Sequence, residues 1–398
     1  MTYRYCLNKN EFCDLKVDIT NKIESVPNVC YGYDTKLNKY KDLIDNIESD
    51  TWKKVRWYMN KYDFVVKLPI INRAFYKYWE ILQTFNLFQN WNRCNIILHC
   101  AEAPGGFIQA SNKVLFSKKA INNKNNNDTV DEDGFQTMTK KKQFIKKNIY
   151  TISLNKNIEK YKSLNLPSYN GSVIKKNVHI TYGVDNSGDI NNWENIKHIL
   201  ELSKEQFEII TCDGGLDEGF DFNHKEQLHY KLILSEIYTA IELQKINGSF
   251  ILKMYDIYTT PSIHLIYLLT MCYNVVEIYK PTTSRPTNSE KYIVCKEFNL
   301  SDLQRNKVIT QLFVLYNNMD FSINNITPFV LFDKLPGIFI ESIKNINKEI
   351  INKQCEALQL AVSLVNSEFI TIYKKNLGNI LQKREKSYLE WTKKFNLY

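Results

Sequence analysis

No Cys-x-x-Cys pair occurs anywhere in the 398 residues. The cysteines, at positions 6, 13, 30, 94, 100, 212, 272, 295 and 355, are odd in number and widely spaced, which argues against a disulfide framework or a structural zinc centre. Several fall within apolar runs, where a free thiol packs as a small hydrophobe, so a reducing, cytoplasmic compartment is expected. No apolar run reaches membrane-spanning length. The most lipid-like, 263–271, reads as a buried helix, and the opening MTYRYCLNKNEF lacks the apolar centre of a signal peptide, so no membrane partner is expected. His99, His179, His198, His224, His229 and His264 are scattered without ligand spacing, and no metal is expected. GxxxxGK[ST] and GxGxxG are both missing, and no acid closes the apolar segment 149–154, so ATP-type and dinucleotide sites lack their signatures.

What is present begins with charge. Lys and Arg number 52 against 43 Asp and Glu, a modest surplus of +9 that suits a polyanion such as RNA and equally serves solubility. Hydrophobic residues make up 44%, enough for a sizeable core. Between residues 51 and 90, Trp57, Phe64, Phe75, Trp79, Leu82, Phe85 and Phe88 recur at helical spacing, predicting one or two amphipathic helices separated at Pro69. Strands are predicted at 95–100, 149–154, 178–182, 207–212, 249–254, 275–279 and 292–295. Helices alternate with them at 107–118, 192–200, 225–243 and 261–271, with Asn192 and Thr260 as N-caps and Pro261 in a first turn. This alternation implies an α/β protein whose mainly parallel sheet is covered on both faces.

Residues 120–147, rich in asparagine and carrying a basic cluster at 140–142, read as a surface insertion; beyond residue 298 the pattern turns to long helices over 301–317, 337–365 and 366–393. The expected organisation is an extension over 1–50, an α/β domain over 51–298 with its insertion at 120–147, and a helical annex over 299–398. Lys374, Lys375, Lys383, Arg384, Lys386, Lys393 and Lys394 give the annex a basic stretch, either a solvated face or an RNA stripe.

A glycine turn follows the first predicted core strand, in the run from His99 through Glu102, Pro104, Gly105 and Gly106 to Phe107. Glycines there let the backbone turn tightly and approach a ligand, and the helix start beyond them presents free amide donors. Taken alone, the loop fits a cofactor site and an ordinary turn equally. Asp213 ends the strand 207–212, Lys253 sits in the apolar FILKMY, Glu290 precedes Tyr292, and Lys77 lies on the helix before the first core strand. A lysine in an apolar strand is costly unless its ammonium reaches a partner or solvent. Lys253 therefore reads either as a snorkelling lysine paired with Asp213 or as a base.

The segments INRAFYKYWEI, AEAPGGFIQA, YGVDNSGDI, ITCDGG, NGSFILKMYD and KPTTSRPTNSEKYIVC, in this order over residues 70–296, resemble the FtsJ-like (RrmJ-type) ribose 2'-O-methyltransferases, especially a viral branch related to the African swine fever virus FtsJ-like protein. The resemblance implies a Rossmann-like class I methyltransferase sheet of order 3-2-1-4-5-7-6 with its last strand antiparallel, S-adenosylmethionine as cofactor, and RNA as substrate. It matches Lys77, Asp213, Lys253 and Glu290 to a catalytic tetrad in which Lys253 takes the proton of the ribose hydroxyl. For the cofactor it points to Pro104, Gly105, Gly106 and Phe107, to Asp189 in NSGDI and to Asp213. Glu102 stands in for the acid that bacterial relatives carry where this chain has His99.

The added sequence at both ends leans toward capped messenger RNA, with other capping or transcription proteins as partners and, for a viral member, the host cytoplasm and virion as location. An ordinary lysine, with a pKa of about 10.4, is protonated at neutral pH. Lys77 would lower that value as a neighbouring cation, whereas Asp213 and Glu290 would raise it. Two rivals remain: an inactive methyltransferase-like RNA-binding or virion scaffold subunit, which His99 favours, and a dinucleotide-dependent oxidoreductase, which only the coarse fold favours.

Overall fold

Ile97, Ile209 and Ile251 are buried on one face of a sheet, and their chain neighbours Leu98, Ile210 and Leu252 are buried on the other. Side chains of a strand alternate between faces, so segments apolar at successive positions are stable only with both faces covered. The computed structural model, which describes residues 2–19, 31–60, 62, 69–87, 96–115, 147–215, 225–319, 329–366 and 369–397, has that arrangement.

In chain order the strands are β1 (Tyr3–Leu7), β2 (Asp18–Ile19), β3 (Ile96–Cys100), β4 (Asn148–Ile152), β5 (Val178–Thr181), β6 (Phe207–Cys212), β7 (Gln244–Met254), β8 (Tyr273–Lys280), β9 (Lys291–Phe298) and β10 (Phe329–Val330). The helices are α1 (Lys36–Asp45), α2 (Ser49–Met59), α3 (Ala74–Thr84), α4 (Gly106–Leu115), α5 (Trp193–Ser203), α6 (Lys225–Leu228), α7 (Tyr230–Leu243), α8 (Thr260–Cys272), α9 (Asp302–Asn318), α10 (Gly337–Asn366) and α11 (Phe369–Lys394).

The main sheet runs β1-β8-β9-β7-β6-β3-β4-β5. Counted from β3 this is the expected 3-2-1-4-5-7-6 order, and β9, the last of the seven, lies antiparallel between β7 and β8. The eighth strand is β1, which pairs antiparallel with β8 from Tyr3↔Lys280 to Leu7↔Val276. β2 and β10 form a small separate ladder. One face of the sheet is covered by α3, α4 and α11, through Phe75, Tyr78, Phe107 and Trp391. The other is covered by α5, α7, α8 and α9, through Trp193, Ile237, Leu265 and Leu312. A third cluster joins α1, α2 and α10 through Leu37, Val55 and Leu358.

Local details depart from sequence expectation in three places. Position 259, not 260, caps α8, and the Thr259 hydroxyl donates to Glu226 instead of accepting a backbone amide of its own helix. A turn at His229 splits the expected helix over 225–243 into α6 and α7. Its first piece is held by Glu226, whose buried carboxylate accepts the Tyr258 and Thr259 amides. Arg384, counted among the basic residues of the annex, is buried, with its guanidinium 3.4 Å from the centre of the Trp57 ring. Asn192 does cap α5, accepting from the Glu194 amide, and Pro261 lies in the first turn of α8. Of the insertion over 120–147, all but the last residue, its basic cluster at 140–142 included, lies outside the described residues. Among those described, no helix is long and apolar enough to cross a membrane.

Ile251 is fully buried in β7, between β6 and β9. Ile251→Ala should therefore lower unfolding stability by about 2–5 kcal/mol in denaturant titrations while the far-ultraviolet spectrum is retained.

Candidate active site

Strand direction explains why distant residues converge. β3, β6 and β7 are parallel and in register at Cys100↔Cys212 and Cys212↔Leu252, so the segments that follow them emerge side by side. The Asp213 amide donates to the Cys100 carbonyl at 3.3 Å, which closes the gap between the first two. Because β9 is antiparallel to β7, with Lys253↔Tyr292 in register, the residue preceding β9 arrives at the same end, and that residue is Glu290. The strand order reverses at β3, the chain running through β4 to β5 on one side and then crossing to β6 on the other, and crevices form at such switch points.

The turn between β3 and α4 is fixed from several sides. The Ser153 hydroxyl accepts the Glu102 and Ala103 amides at 2.8 and 3.1 Å, and Pro104 accepts from the Asn170 amide. Gly105 has a φ of +113°, and a Cβ there would lie 2.9 Å from Val173. Gly106 answers a different need, since a Cβ there would press against Asn72 and the Phe75 amide, where α3 crosses α4. The Phe107 ring is fully buried, stacked on Tyr78 at 4.4 Å, so its side chain belongs to the core. Its amide donates to Glu102 Oε1 at 2.6 Å. Glu102 is only 2% exposed, and its Oε2 meets no hydrogen-bond donor among the described residues. Burial, reinforced by Asp213, pushes its carboxyl well above the ordinary range. Across the cleft Asp189 accepts from the Tyr161 hydroxyl at 2.8 Å and from the Asn191 amide at 2.9 Å.

The four charged residues form a row. Lys77 Nζ is 2.8 Å from Glu290 Oε2, and Ser284 donates to the other oxygen of that carboxylate at 2.7 Å. Lys253 Nζ donates to the Asp213 carbonyl at 2.6 Å and lies 3.3 Å from Asp213 Oδ1, which also accepts from the Tyr292 hydroxyl. Burial acts against the charge of Glu290, but Lys77, Lys253 and Lys280 overcome it and hold the carboxyl well below its usual range. Burial likewise acts against the Lys253 ammonium, and Asp213, Tyr255, Glu290 and Glu236 overcome it, so Lys253 stands above an ordinary lysine. The opposing influences on Lys253 are thereby ranked: its acids win, and Lys77 is spent on Glu290.

Tyr292, Ser284, Ser153 and Glu236 were not evident from sequence. Ser153 sits just past β4, where a dinucleotide site would place an acid, and Tyr292 betrays itself only through its register with Lys253. Glu236, on the buried face of α7, accepts from the Gly214 amide at 3.2 Å and leaves Oε2 without a donor among the described residues. Burial chiefly, with Asp213 adding and Lys253 and the Gly214 amide offsetting, pushes it up to about 8. His99 is a core residue. Its ring nitrogens bond Thr211 and Ser111 at 2.7 and 3.0 Å, and burial lowers its pKa to about 3, so the ring is neutral.

Residues 70–298 match the FtsJ-like methyltransferase family. Among curated proteins, the cap-specific mRNA (nucleoside-2'-O-)-methyltransferase 1 of Trypanosoma cruzi is 32% identical over 46% of this chain and 51% of its own. The cap-specific mRNA (nucleoside-2'-O-)-methyltransferase 2 of Pongo abelii is 28% identical over 65% of this chain and 32% of its own. The chain thus spans about half or less of these curated relatives. A solved ribosomal RNA methyltransferase from Plasmodium falciparum overlays with a TM-score of 0.37 at 22% identity, covering 57% of this chain and 97% of that one.

Glu236 gives the site a measurable pH signature. Between about 4.5 and about 8 the folded chain binds more protons at this carboxyl than the unfolded chain does, so stability falls as pH rises through that window. Glu236→Gln removes the slope. The variant's unfolding free energy should gain steadily on the wild type across the window, and a constant difference would show Glu236 already ionised in the fold.

Proposed function

Because the chain belongs to the FtsJ-like methyltransferase family, matched over more than half its length, we propose that it transfers a methyl group from S-adenosylmethionine to a ribose 2'-hydroxyl of RNA, at the cap-proximal nucleotide of messenger RNA. The observation that carries this reading is the row Lys77–Glu290–Lys253–Asp213 beside the glycine turn, with Glu290 and Lys253 buried and Lys77 and Asp213 half-buried. The names of the curated relatives support the choice of capped messenger RNA. Capping or transcription proteins are the proposed partners, and the cytoplasm is the proposed place of action.

The residues present fit the cofactor. S-adenosylmethionine is cationic, and Glu102 Oε2 is a buried carboxyl oxygen lacking a donor, next to a turn whose Gly105 leaves no space for a Cβ. Glu102 and the turn from Pro104 to Gly106 would hold its charged end, with Asp189 and Asp213 flanking the cleft; Phe107 would contribute through its backbone. When bound, it supplies an electrophilic methyl group and adds positive charge to the site.

The chain's own residues then have two tasks, orienting the hydroxyl and removing its proton. Lys253 Nζ accepts that proton and must first release one of its own to solvent, to which it keeps a narrow exposure. Its closest acid, Asp213, is already shared with the Tyr292 hydroxyl, so added positive charge nearby weakens the hold of Asp213 on the ammonium. Glu290 is neutralised by Lys77 and fixed by Ser284, which leaves it to orient the lysine pair without competing for the proton.

Lys253→Ala should abolish methyl transfer while calorimetry shows cofactor affinity largely retained, and wild-type turnover in this variant would sink the mechanism. Matched capped and uncapped RNAs, methylated with labelled cofactor and digested to nucleosides, should carry label on the 2'-oxygen of the capped RNA. Equal labelling of both would refute the cap assignment and leave the ribose assignment standing.

A further inference from the structure

Glu80 is fully buried on α3, one turn beyond Lys77, and its carboxylate collects five donors. Oε1 accepts the Tyr279 hydroxyl and the Thr282 amide, each at 2.7 Å. Oε2 accepts the Thr282 hydroxyl at 2.7 Å, the Thr283 hydroxyl at 3.4 Å and the indole Nε1 of Trp391 at 3.0 Å. A carboxylate with no exposure is tolerable only when its lone pairs are taken up in this way.

The donors come from two regions. Tyr279, Thr282 and Thr283 belong to the end of β8 and the connection that delivers Glu290 to β9. α3 grips that connection at three successive points at helical spacing: the Arg73 guanidinium donates to the Thr283 carbonyl at 2.8 Å, Lys77 pairs with Glu290, and Glu80 receives Thr282. The remaining donor comes from the annex. Trp391 on α11 packs edge-on to Tyr76 at 5.2 Å, and the neighbouring Trp79 indole donates to the Phe395 carbonyl at 2.8 Å, so this end of α11 is bonded to α3 in both directions.

We propose that Glu80 is a positioning residue that sets the Lys77–Glu290 pair, and that Trp391 completes it, which makes the helical annex part of the active-site framework. The inference rests on the methyl-transfer reading above. Glu80 touches no reacting atom. It fixes the distance between α3 and the connection over 281–290, and Lys77 and Glu290 ride on those two elements.

The test is a double-mutant cycle on the full chain with capped RNA. Trp391→Phe removes the indole donor and keeps an aromatic ring; Glu80→Gln keeps one acceptor and turns the other oxygen into a donor facing the indole. Each single variant should lower kcat about tenfold, the scale of one hydrogen bond to a charged group, with KM for RNA and the cofactor dissociation constant changed by less than about twofold. The double variant should be no slower than Glu80→Gln alone, because the indole acts only through the carboxylate. Should Glu80→Gln fail to fold, Tyr279→Phe removes a donor from the same carboxylate and takes its place in the cycle. Unchanged kcat in the single variants, additive losses in the double, or a rise in KM at constant kcat would each overturn the inference and leave the reaction intact. Absence of transfer by the wild-type chain would overturn both.

Discussion

Charge largely withdrawn from solvent at the carboxyl end of the sheet has to be balanced locally. Lys77, Glu290, Lys253 and Asp213 alternate in sign, and each arrives on a different element: α3, the residue before β9, β7 and the residue after β6. A buried pair stabilises little by itself, and the desolvation it suffers rivals its attraction. Removing one member is a different matter, since the partner is then left charged with nothing opposite. The two pairs therefore work as constraints on the backbone, tying α3 to the residue before β9 and β7 to the residue after β6, each within the length of an ion pair. Ser284, Tyr292 and Lys280 take up the lone pairs and carbonyls that the row leaves over.

Around the row, burial sorts the acids into two kinds. Glu290 has cations within reach and stays ionised, while Glu102 and Glu236 lie behind Asp213, where burial and a like charge favour the neutral form. The same acids that stabilise the Lys253 ammonium prevent it from acting as a base while the cleft lacks additional positive charge. The chemistry of the cleft is thus governed by the sign of what enters it, and a cationic ligand is the kind that shifts the balance toward a free amine.

Much of the fold was legible in sequence because it rests on periodicity. Strand segments that are apolar at successive positions, separated by amphipathic helices, leave little choice beyond a parallel sheet covered on both faces, and β3 through β9 lie close to where the pattern puts them. β1 was not legible. Its edge position buries only its first and last residues, and its partner lies more than two hundred residues away, so no local pattern marks it. In the site, Asp213 and Glu290 stand beside strand ends and Lys253 in an apolar strand, whereas Lys77 lies on a helix and joins them only through the family resemblance. Glu80 and Glu236 were hidden for the opposite reason: a glutamate on a helix ordinarily faces water, and only the packed structure reveals that these two do not. His99, conspicuous in the sequence, proved to be an uncharged member of the core.

The bond from Trp391 to Glu80 also bears on how the molecule is made. Residues 70–298 leave the ribosome well before residue 391, and until then Glu80 has four of its five donors. β1, waiting for β8, is in a similar position at the other edge of the sheet. Contacts spanning such long stretches of chain form late and slowly. For part of its synthesis the nascent chain therefore lacks the indole donor to Glu80, and α11, the latest of the described helices to emerge, is the element that supplies it.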